Sequence, residues 1–336
     1  MVADSEGVVH VAAQLGHDIY HVTNSSGRWT RVQLSAAPRD GTHGLPSITR
    51  DTDGSLWVAF TDRCRACAPN FSAGVLLTSM PSGQWSSPTR IPDHLGERPF
   101  LIVDEGVVHI GDTDTNASGP SDSLEAIFRP VYVTNDGVGW ALNEVAAGGT
   151  TLAFQRTDDG ARSAIYVAPG GRRAAADDIH LAVAGSGTAQ FTTSQVVGGG
   201  TSCSHEAAFG NPGEAAVFLQ SAGEGEFPCA DVGPAHYIRL SGGSWSAPIE
   251  APFMARTVAL DADGAVHALA VMNPDLDSTE LWYMTDAGGG FSTQMLASYA
   301  TSDIILNLAL ALDGAGRSHI FFSSALGTFY AVAPAG

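Results

Sequence analysis

The sequence predicts an all-β chain folded as a seven-bladed β-propeller, and two observations support this fold class. First, an acidic or small residue, a glycine and an alternating apolar run recur together seven times. Subtracting successive glycine numbers gives spacings of 47, 52, 54, 53, 51 and 52 residues for Gly7, Gly54, Gly106, Gly160, Gly213, Gly264 and Gly316. Such a period is typical of propellers, in which one repeat cannot bury its own apolar faces. Second, no useful length of chain shows the 3.6-residue period of a helix.

Each repeat contains four short segments with strand character, here named A to D in chain order. Strand A precedes the repeat glycine, as in 46–51, 100–104, 257–263 and 307–313. Strand B follows the glycine directly. Strand C lies at 18–24, 74–80, 130–136, 178–184, 236–241, 281–286 and 328–333. A glycine turn then leads to strand D, at 29–34, 85–91, 140–145, 245–250 and 291–296. Four antiparallel strands per repeat of about 50 residues predict one propeller blade each.

We predict that residues 1–336 form a single propeller domain. The predicted blades are approximately 1–35, 45–91, 98–146, 150–197, 201–250, 254–297 and 303–336. Blade 1 retains only Val2–Asp4 of its strand A, and blade 7 stops after its third strand at Pro334–Gly336. A ring cut in this way lacks the usual overlap of the two ends. Either the seam between the two ends is weak or Met1 begins a piece of a longer precursor, and we favour the second alternative.

The hairpins between strands C and D carry a resemblance to a known group of proteins. They read TNSSGRW (23–29), SMPSGQW (79–85), TNDGVGW (134–140), LSGGSW (240–245) and TDAGGGF (285–291). These hairpins resemble degenerate forms of the S-x-D-x-G-x-x-W Asp box, so the chain resembles bacterial propellers of the BNR or sialidase-like superfamily. The resemblance implies the fold and transfers no catalytic residue. The arginine triad and Tyr/Glu pair of sialidases have no counterpart that we can place, so sialidase activity is not implied.

Composition and charge narrow the function classes. The chain has 35 acidic and 16 basic residues, all 16 of them arginine, which gives a net charge of −19. Lysine-based Schiff-base or general-base chemistry is therefore excluded. The negative charge disfavours binding to nucleic acid or anionic membranes. No apolar run is long enough to span a bilayer, and no signal-peptide pattern is present. We predict an extracellular or periplasmic monomer, with a signal peptide removed from its precursor, that needs no cofactor.

The four cysteines favour an oxidising compartment. Cys203 and Cys229 fall in loops predicted to share one face of blade 5, where a disulfide between them is geometrically reasonable. Cys64 and Cys67 form a C-x-x-C sequence in blade 2 that could close a short-loop disulfide. Two disulfides would indicate a secreted protein. Free thiols and a four-cysteine zinc site are the alternatives, and zinc is disfavoured because blades 2 and 5 lie on opposite sides of the predicted ring.

The long loops indicate where a ligand would bind. In a propeller the D–A and B–C loops share one face, around the mouth of the central channel. The long loops predicted for this face are 39–45, 62–72, 92–99, 112–129, 198–206, 221–234 and 272–279. They differ in every blade, which predicts one asymmetric pocket rather than seven equivalent sites.

Aligning the repeats on their glycines selects candidate site residues. Eight residues before the glycine, six blades present Pro46, Arg98, Leu152, His205, Arg256 and Leu308. Equivalent strand positions lie at similar heights around the axis, so Arg98, His205 and Arg256 are expected at the channel mouth. The neighbouring loops add His43, His94 and Glu97. The alternative is that the arginines only form structural ion pairs with Glu97, Glu206, Asp303 or other acids.

Two classes of function follow from this arrangement. In the first, Arg98 and Arg256, with His94 and Glu97 nearby, bind a uronate- or sulfate-bearing glycan, since guanidinium groups bind such anions bidentately. A base then removes the proton beside the uronate carboxylate, as in a polysaccharide lyase, or the enzyme is a glycosidase. The candidate catalytic residues are His43, His205 and Tyr299. In the second class, the loop face is the recognition surface of a noncatalytic lectin-like or protein-interaction propeller, and a carbohydrate or small anion stays the expected ligand.

Several chemically suggestive residues have structural interpretations. A histidine three residues after the repeat glycine recurs as His10, His109, His267 and His319. This position predicts packing beside the A–B turn rather than a ligand role. The aromatic residues that open strand D are expected to hold neighbouring blades together rather than to stack on sugars. Asp112 and Asp114 alternate as in calcium loops, yet the Gly and Glu of an EF-hand are absent, so this match is weak.

Overall fold

The computed structural model describes thirteen stretches of the chain. They are residues 1–4, 6–37, 41–64, 73–94, 96–115, 128–136, 138–169, 177–221, 234–273, 278–287, 289–300, 307–324 and 327–333. The described residues form 27 β-strands and no helix. The chain separates into two compact units. Unit 1 consists of Met1–Val2, Val8–Pro169 and Ile179–Gln195, and unit 2 consists of Ala3–Gly7, Gly170–Asp178 and Val196–Gly336.

Antiparallel meanders corresponding to blades 1 to 4 account for the first sixteen strands. Blade 1 contains β1 (Val2–Ala3), β2 (Val9–Leu15), β3 (Asp18–Thr23) and β4 (Thr30–Ser35). Blade 2 contains β5 (Gly41–Arg50), β6 (Leu56–Cys64), β7 (Ala73–Met80) and β8 (Thr89–Arg90). Blade 3 contains β9 (Phe100–Asp104), β10 (Val107–Asp114), β11 (Arg129–Asn135) and β12 (Trp140–Glu144). Blade 4 contains β13 (Thr150–Arg156), β14 (Arg162–Pro169), β15 (Asp177–Ala184) and the start of β16 (Thr192–Phe209).

Blades 5 to 7 repeat this order. Blade 5 contains the end of β16, then β17 (Ala215–Ser221), β18 (Ala235–Ser241), β19 (Ser244–Trp245) and β20 (Ile249–Glu250). Blade 6 contains β21 (Thr257–Leu260), β22 (Val266–Met272), β23 (Ser278–Thr285) and β24 (Ser292–Ala300). Blade 7 contains β25 (Asn307–Leu312), β26 (Ser318–Ser324) and β27 (Gly327–Ala333). The all-β prediction with seven propeller blades is confirmed, and blade 7 shows three strands within the described residues.

The repeat glycines occupy equivalent corners. All seven have positive φ angles, between 73° and 87°. Most L-residues avoid this region, whereas glycine adopts it readily, so the glycine permits the tight turn between strands A and B. In blades 2, 6 and 7 an aspartate three residues earlier accepts the glycine N–H through its backbone carbonyl. The spacing of these glycines in the sequence is therefore the spacing of the blades.

Within each unit, consecutive blades bury apolar faces against each other. In unit 1 the core between blades 2 and 3 includes Ile91, Ile110 and Val131, each at most 1% exposed. In unit 2 the core between blades 5 and 6 includes Phe218 and Met284, both fully buried. Burying one such side chain stabilises a fold by about 1.5–3 kcal/mol. The alternation of apolar residues in the sequence is thus explained by packing between blades.

Aromatic residues at the start of strand D contact the preceding blade, as predicted. Trp85 of blade 2 donates its Nε1–H to Nδ1 of His21 in blade 1 at 3.3 Å. Phe291 of blade 6 packs edge-on against Tyr237 of blade 5, with ring centroids 4.9 Å apart. These contacts use the aromatic face and edge within the protein.

Strands extend into several of the predicted loops, as β5 and β16 show. Residues 41–45, predicted as part of a loop, extend β5, and residues 198–206 lie inside β16. In β16 the pairing with β17 runs from Ser202 to Phe209. The glycine-rich composition of 198–200 obscured this strand in the sequence, since glycine is a weak strand former unless a partner strand supplies hydrogen bonds. No helix in the described part of the chain has the length and apolar character needed to cross a bilayer.

Candidate functional site

A buried carboxylate organises the segment that carries three of the predicted site residues. Asp112 lies on β10 and is fully buried. Its Oδ1 accepts the backbone N–H groups of Glu97 at 3.2 Å, Arg98 at 2.8 Å and Thr113 at 2.6 Å. Its Oδ2 lies 3.0 Å from Nε2 of the buried His94. A buried carboxylate is stable when several donors surround it, and this one fixes the backbone on which Arg98 stands.

Position 96, next to this carboxylate, has room only for glycine. A Cβ atom added there would lie 1.8 Å from Oδ2 of Asp112 and 2.7 Å from Nε2 of His94. Backbone and carboxylate therefore approach closer than any side chain at position 96 would allow. His94 and residues 96–98 surround Asp112, and we name these residues, together with Asp112, the Asp112 clasp.

The clasp presents Arg98 in a half-buried position. The Cζ atom of Arg98 lies 5.3 Å from the centre of the Phe100 ring, close enough for a cation–π contact. Such a contact helps to orient a guanidinium. Glu97 points its carboxylate toward Arg63, with 3.9 Å between Oε1 and Nη2 and both side chains more than a third exposed. An exposed pair of this kind contributes about 0–1 kcal/mol, so water and ligands can compete for both groups.

His43 belongs to a second set of contacts in unit 1. It lies on β5, is 4% exposed, and its Nδ1 is 2.7 Å from Oγ of Ser35 at the end of β4. Its Nε2 is 3.4 Å from Oδ1 of Asp62, directly opposite on β6. Oδ2 of Asp62 accepts a hydrogen bond of 2.6 Å from Arg90. We name Ser35, His43, Asp62 and Arg90 the Ser35 series.

The surroundings keep His43 neutral near pH 7. Burial lowers its pKa below the ordinary value of 6.5, and the carboxylates of Asp62 and Asp18 offset part of this effect. A neutral imidazole carries one proton and one lone pair. Because Nε2 faces a carboxylate, we place the proton there, which leaves Nδ1 to accept the Ser35 hydroxyl proton.

Unit 2 carries the other predicted arginine and histidine. Arg256 is exposed and immediately precedes β21, and its backbone N–H donates to the carbonyl of Leu269 at 2.7 Å. Among the described residues no carboxylate forms an ion pair with it, and Asp303 lies outside them. His205 is half-buried on β16, opposite Leu219 of β17. Both residues therefore precede or occupy a first strand of their blade, as the alignment predicts.

Tyr299 has surroundings that differ from those of a typical base. It lies on β24, the fourth strand of blade 6, and packs against Phe322 and Phe329 of blade 7 with ring centroids 6.3 and 5.9 Å away. Burial raises the pKa of its hydroxyl above the ordinary value of 10. This placement gives Tyr299 a clear packing role between blades 6 and 7.

The repeated histidines are structural, as the sequence indicates. His109, His267 and His319 each place Nδ1 2.6 Å from a tyrosine hydroxyl on the neighbouring third strand. The tyrosine partners are Tyr132, Tyr283 and Tyr330. In blades 6 and 7, Nε2 also meets the turn aspartate, at 3.2 Å for Asp261 and 2.9 Å for Asp313. The histidine thus links the A–B turn to the third strand through buried hydrogen bonds.

Neither a group of metal-ligating side chains nor a complete predicted disulfide pair lies within the described residues. The described residues contain no group of three or more His, Cys, Asp or Glu side chains that could hold a metal ion. Asp112, which the sequence places in a weak calcium pattern, is occupied by N–H donors. Cys67 and Cys229 lie outside the described residues, so both predicted disulfides also lie outside them. Most of the long loops, 65–72, 116–127, 222–233 and 274–277, lie outside as well.

Sequence reasoning found the clasp residues but missed what holds them. It selected Arg98, Glu97 and His94 by position, yet it did not identify Asp112 as their common partner. It also selected His43 without Ser35, Asp62 or Arg90. The sequence signal for the clasp was Gly96, with His94 two residues before it and Arg98 two residues after it. No local pattern links Ser35 to Asp62, because His43 joins the two only when blades 1 and 2 pack.

Comparisons with known proteins agree on the fold. No protein-family model and no curated protein sequence matches the chain. A PL25 ulvan lyase, solved with a glucuronate and sulfated-rhamnose ligand, is 12% identical with a TM-score of 0.59, covering 99% of this chain and 91% of that one. The polysaccharide lyase Uly1 is 8% identical with a TM-score of 0.60, covering 99% and 88%. A Hadza microbial sialidase is 10% identical with a TM-score of 0.51, covering 96% and 74%. At these identities the likeness shows the fold alone.

Proposed function

We propose that this protein is an extracellular, glycan-directed propeller that binds an acidic polysaccharide bearing uronate or sulfate groups and cleaves it as a lyase. The proposal rests on the Asp112 clasp, in which a fully buried carboxylate fixes the backbone of the half-buried Arg98. Structural neighbours with the same fold include two polysaccharide lyases, and one of them was solved with a glucuronate and sulfated-rhamnose ligand.

Electrostatics favour an anionic ligand at Arg98. The chain as a whole carries a net charge of −19, so a polyanion is repelled by most of the surface. Arg98 is our first proposed anion ligand, and the exposed Arg63, which is only weakly engaged by Glu97, is available beside it in the sequence of contacts around Glu97. A carboxylate or sulfate can accept two parallel N–H donors from one guanidinium. Arg256 is our second proposed anion ligand, and His94 and Glu97 support the segment.

The lyase step needs a base that is neutral at working pH. Neutralising a uronate carboxylate acidifies the adjacent C–H, and a base removes that proton while the glycosidic oxygen on the next carbon leaves. His43 meets the condition because burial lowers its pKa. Its ring is buried, so the proton would reach Nδ1 through the Ser35 hydroxyl. His205 and Tyr299 stay alternative bases, and Tyr299 is the weaker one because its pKa is raised.

A glycan panel tests this proposal. Uronate-bearing, sulfated and neutral polysaccharides are incubated with the protein, and absorbance of the unsaturated uronate product is followed together with binding by calorimetry. We expect binding to the acidic polysaccharides and absorbance growth with a uronate polymer. Binding without product would indicate the lectin-like alternative, and equal binding of neutral and acidic glycans would overturn the anionic ligand.

A further inference from the structure

We propose that Ser35 is a nucleophile, activated by His43 and Asp62, and that it cleaves carboxylic esters of small acyl groups. This inference goes beyond the proposed lyase function and does not depend on a uronate. It rests on the Ser35 series, in which the partly buried Ser35 hydroxyl, the buried His43 ring and Asp62 follow one another and Asp62 pairs with the exposed Arg90.

Distances within the series fit nucleophilic catalysis. Oγ of Ser35 and Nδ1 of His43 are 2.7 Å apart, within the reach required between a nucleophile and its base. Asp62 faces the other ring nitrogen at 3.4 Å and orients the imidazole. The two nitrogens are used in the opposite sense to the usual serine-hydrolase arrangement. The proton transfer is the same, because either nitrogen of a neutral imidazole can be the acceptor.

The carboxylate end of the series is paired with an exposed arginine. Oδ2 of Asp62 accepts from Arg90, whose guanidinium lies flat on the backbone of Gly74. A Cβ at position 74 would lie 2.5 Å from Cζ of Arg90, so glycine there makes room for the guanidinium. Oδ1 of Asp62 is buried and forms no hydrogen bond with the described residues in this state. The positive charge that His43 gains when Nδ1 accepts the Ser35 proton lies beside this carboxylate, which stabilises the imidazolium.

The reaction is balanced in two steps. Oγ of Ser35 attacks the acyl carbonyl carbon, its proton passes to Nδ1 of His43, and the ester alkoxide leaves with that proton. Water then gives a proton to His43 while its oxygen attacks the acyl carbon, and the Ser35 oxygen recovers the proton as the carboxylic acid departs. No oxidant, metal or cofactor takes part. Esterified sugars on an acidic polysaccharide are one source of such groups.

A fluorophosphonate probe tests the nucleophile directly. The purified chain is treated with the probe, and the adduct is located by peptide mass spectrometry. We expect one adduct, on Ser35, that is lost in Ser35→Ala and forms at least about 100-fold more slowly in His43→Gln, the size of a general-base contribution. Ser26→Ala is the matched control, since Ser26 is an exposed serine of the same blade whose hydroxyl donates to a backbone carbonyl.

A second measurement covers the case in which His43→Gln folds poorly. The labelling rate of the unaltered chain should rise with pH and level off above the pKa of His43, which lies below 6.5. Absence of label on Ser35, or equal labelling rates in the His43→Gln and unaltered chains with equal thermal stability, would overturn the inference. The glycan panel is unaffected by this outcome, because lyase turnover needs no covalent adduct.

Discussion

Asp112 shows how one residue can determine a local structure that no motif describes. Its carboxylate receives four donors and lies against a glycine that has no room for a side chain. The arrangement depends on the absence of a Cβ at position 96 as much as on the charge at position 112. Stability and the orientation of Arg98 are therefore coupled at this point.

Gly96→Ala tests this coupling. The new methyl group would overlap Oδ2 of Asp112, so the segment must move and the carboxylate loses donors while it stays buried. We expect a loss of about 2–4 kcal/mol in the free energy of unfolding, measured by urea denaturation. Gly139→Ala is the matched control, because a Cβ at that exposed position meets no atom within 4 Å and should change stability by less than about 0.5 kcal/mol. Equal stability of both variants would contradict the clasp.

At the same scale, the sequence predicted the strand positions of site residues better than their side-chain hydrogen-bond partners. Strand register places His205 opposite Leu219 and Leu308 opposite Phe322, and in both pairs the second residue lies six positions after the repeat glycine. In blade 3 the register differs by one residue, because Gly111, five after its repeat glycine, lies opposite Phe100, six before it, whereas Phe218 of blade 5, also five after, lies opposite Glu206, seven before. Counting from the glycine therefore matched His205 with Leu308 but is offset by one residue in the blade that carries Arg98. The partners of His43 and Arg98 were not predictable, because hydrogen bonds across blades depend on side-chain directions that a repeat pattern does not contain.

At the scale of elements, strands pair within a blade and aromatic residues join one blade to the next. Trp85 illustrates this, since it packs between blades 1 and 2 with its indole N–H on His21. The same aromatic position in blade 1 is Trp29, which is 41% exposed. Two residues at one repeat position thus differ in how much surface they bury.

This difference predicts unequal effects of truncation. Trp85→Ala should lower the free energy of unfolding by about 3–4 kcal/mol, because it removes a large contact and leaves His21 without its donor. Trp29→Ala should cost less than about 1 kcal/mol because much of the indole is already exposed. Thermal and urea unfolding of both variants measure this. A larger cost for Trp29 would contradict the assignment of Trp85 as a contact between blades.

Element boundaries were predicted well where a glycine or aspartate ended a strand and poorly where glycines lay inside one. The A–B turns fell at the expected residues since each needs a positive φ angle. Residues 198–206 of β16 were predicted as a loop because a glycine-rich segment favours a loop unless a neighbouring strand, here β17, pairs with it. Pairing with a neighbouring strand overrode the local preference of the chain.

For the whole molecule, buried histidines predict how stability depends on pH. Burial lowers the pKa values of His21 and His109 to about 4, with further lowering by the charge of His10 at the first and of Arg156 at the second. The unfolded chain, with ordinary pKa values near 6.5, therefore binds more protons than the folded chain between pH 6.5 and 4. Stability is fully present above pH 6.5 and falls as the pH drops through this window.

The expected loss is up to about 3 kcal/mol for each histidine between pH 6.5 and 4. Urea denaturation at several pH values measures it. In His109→Phe the free energy of unfolding should fall less steeply as the pH drops. The substitution also removes the hydrogen bond to Tyr132 and lowers stability at pH 7. His17→Asn is a suitable control because His17 is exposed. A decline in His109→Phe as steep as in the unaltered chain would show that other groups cause it.

The most direct measurement of the central claim is the affinity of an acidic polysaccharide for the double variant Arg98→Ala, Arg256→Ala. Isothermal titration with a uronate- or sulfate-bearing polymer at fixed ionic strength compares it with the unaltered chain and with Arg28→Ala, an exposed arginine on the turn of blade 1. We predict at least a tenfold weaker affinity for the double variant, since a guanidinium–carboxylate contact contributes on the order of 1.5–3 kcal/mol, and no change for Arg28→Ala. Equal affinity in all three proteins would contradict the proposal that these arginines bind an anionic polymer.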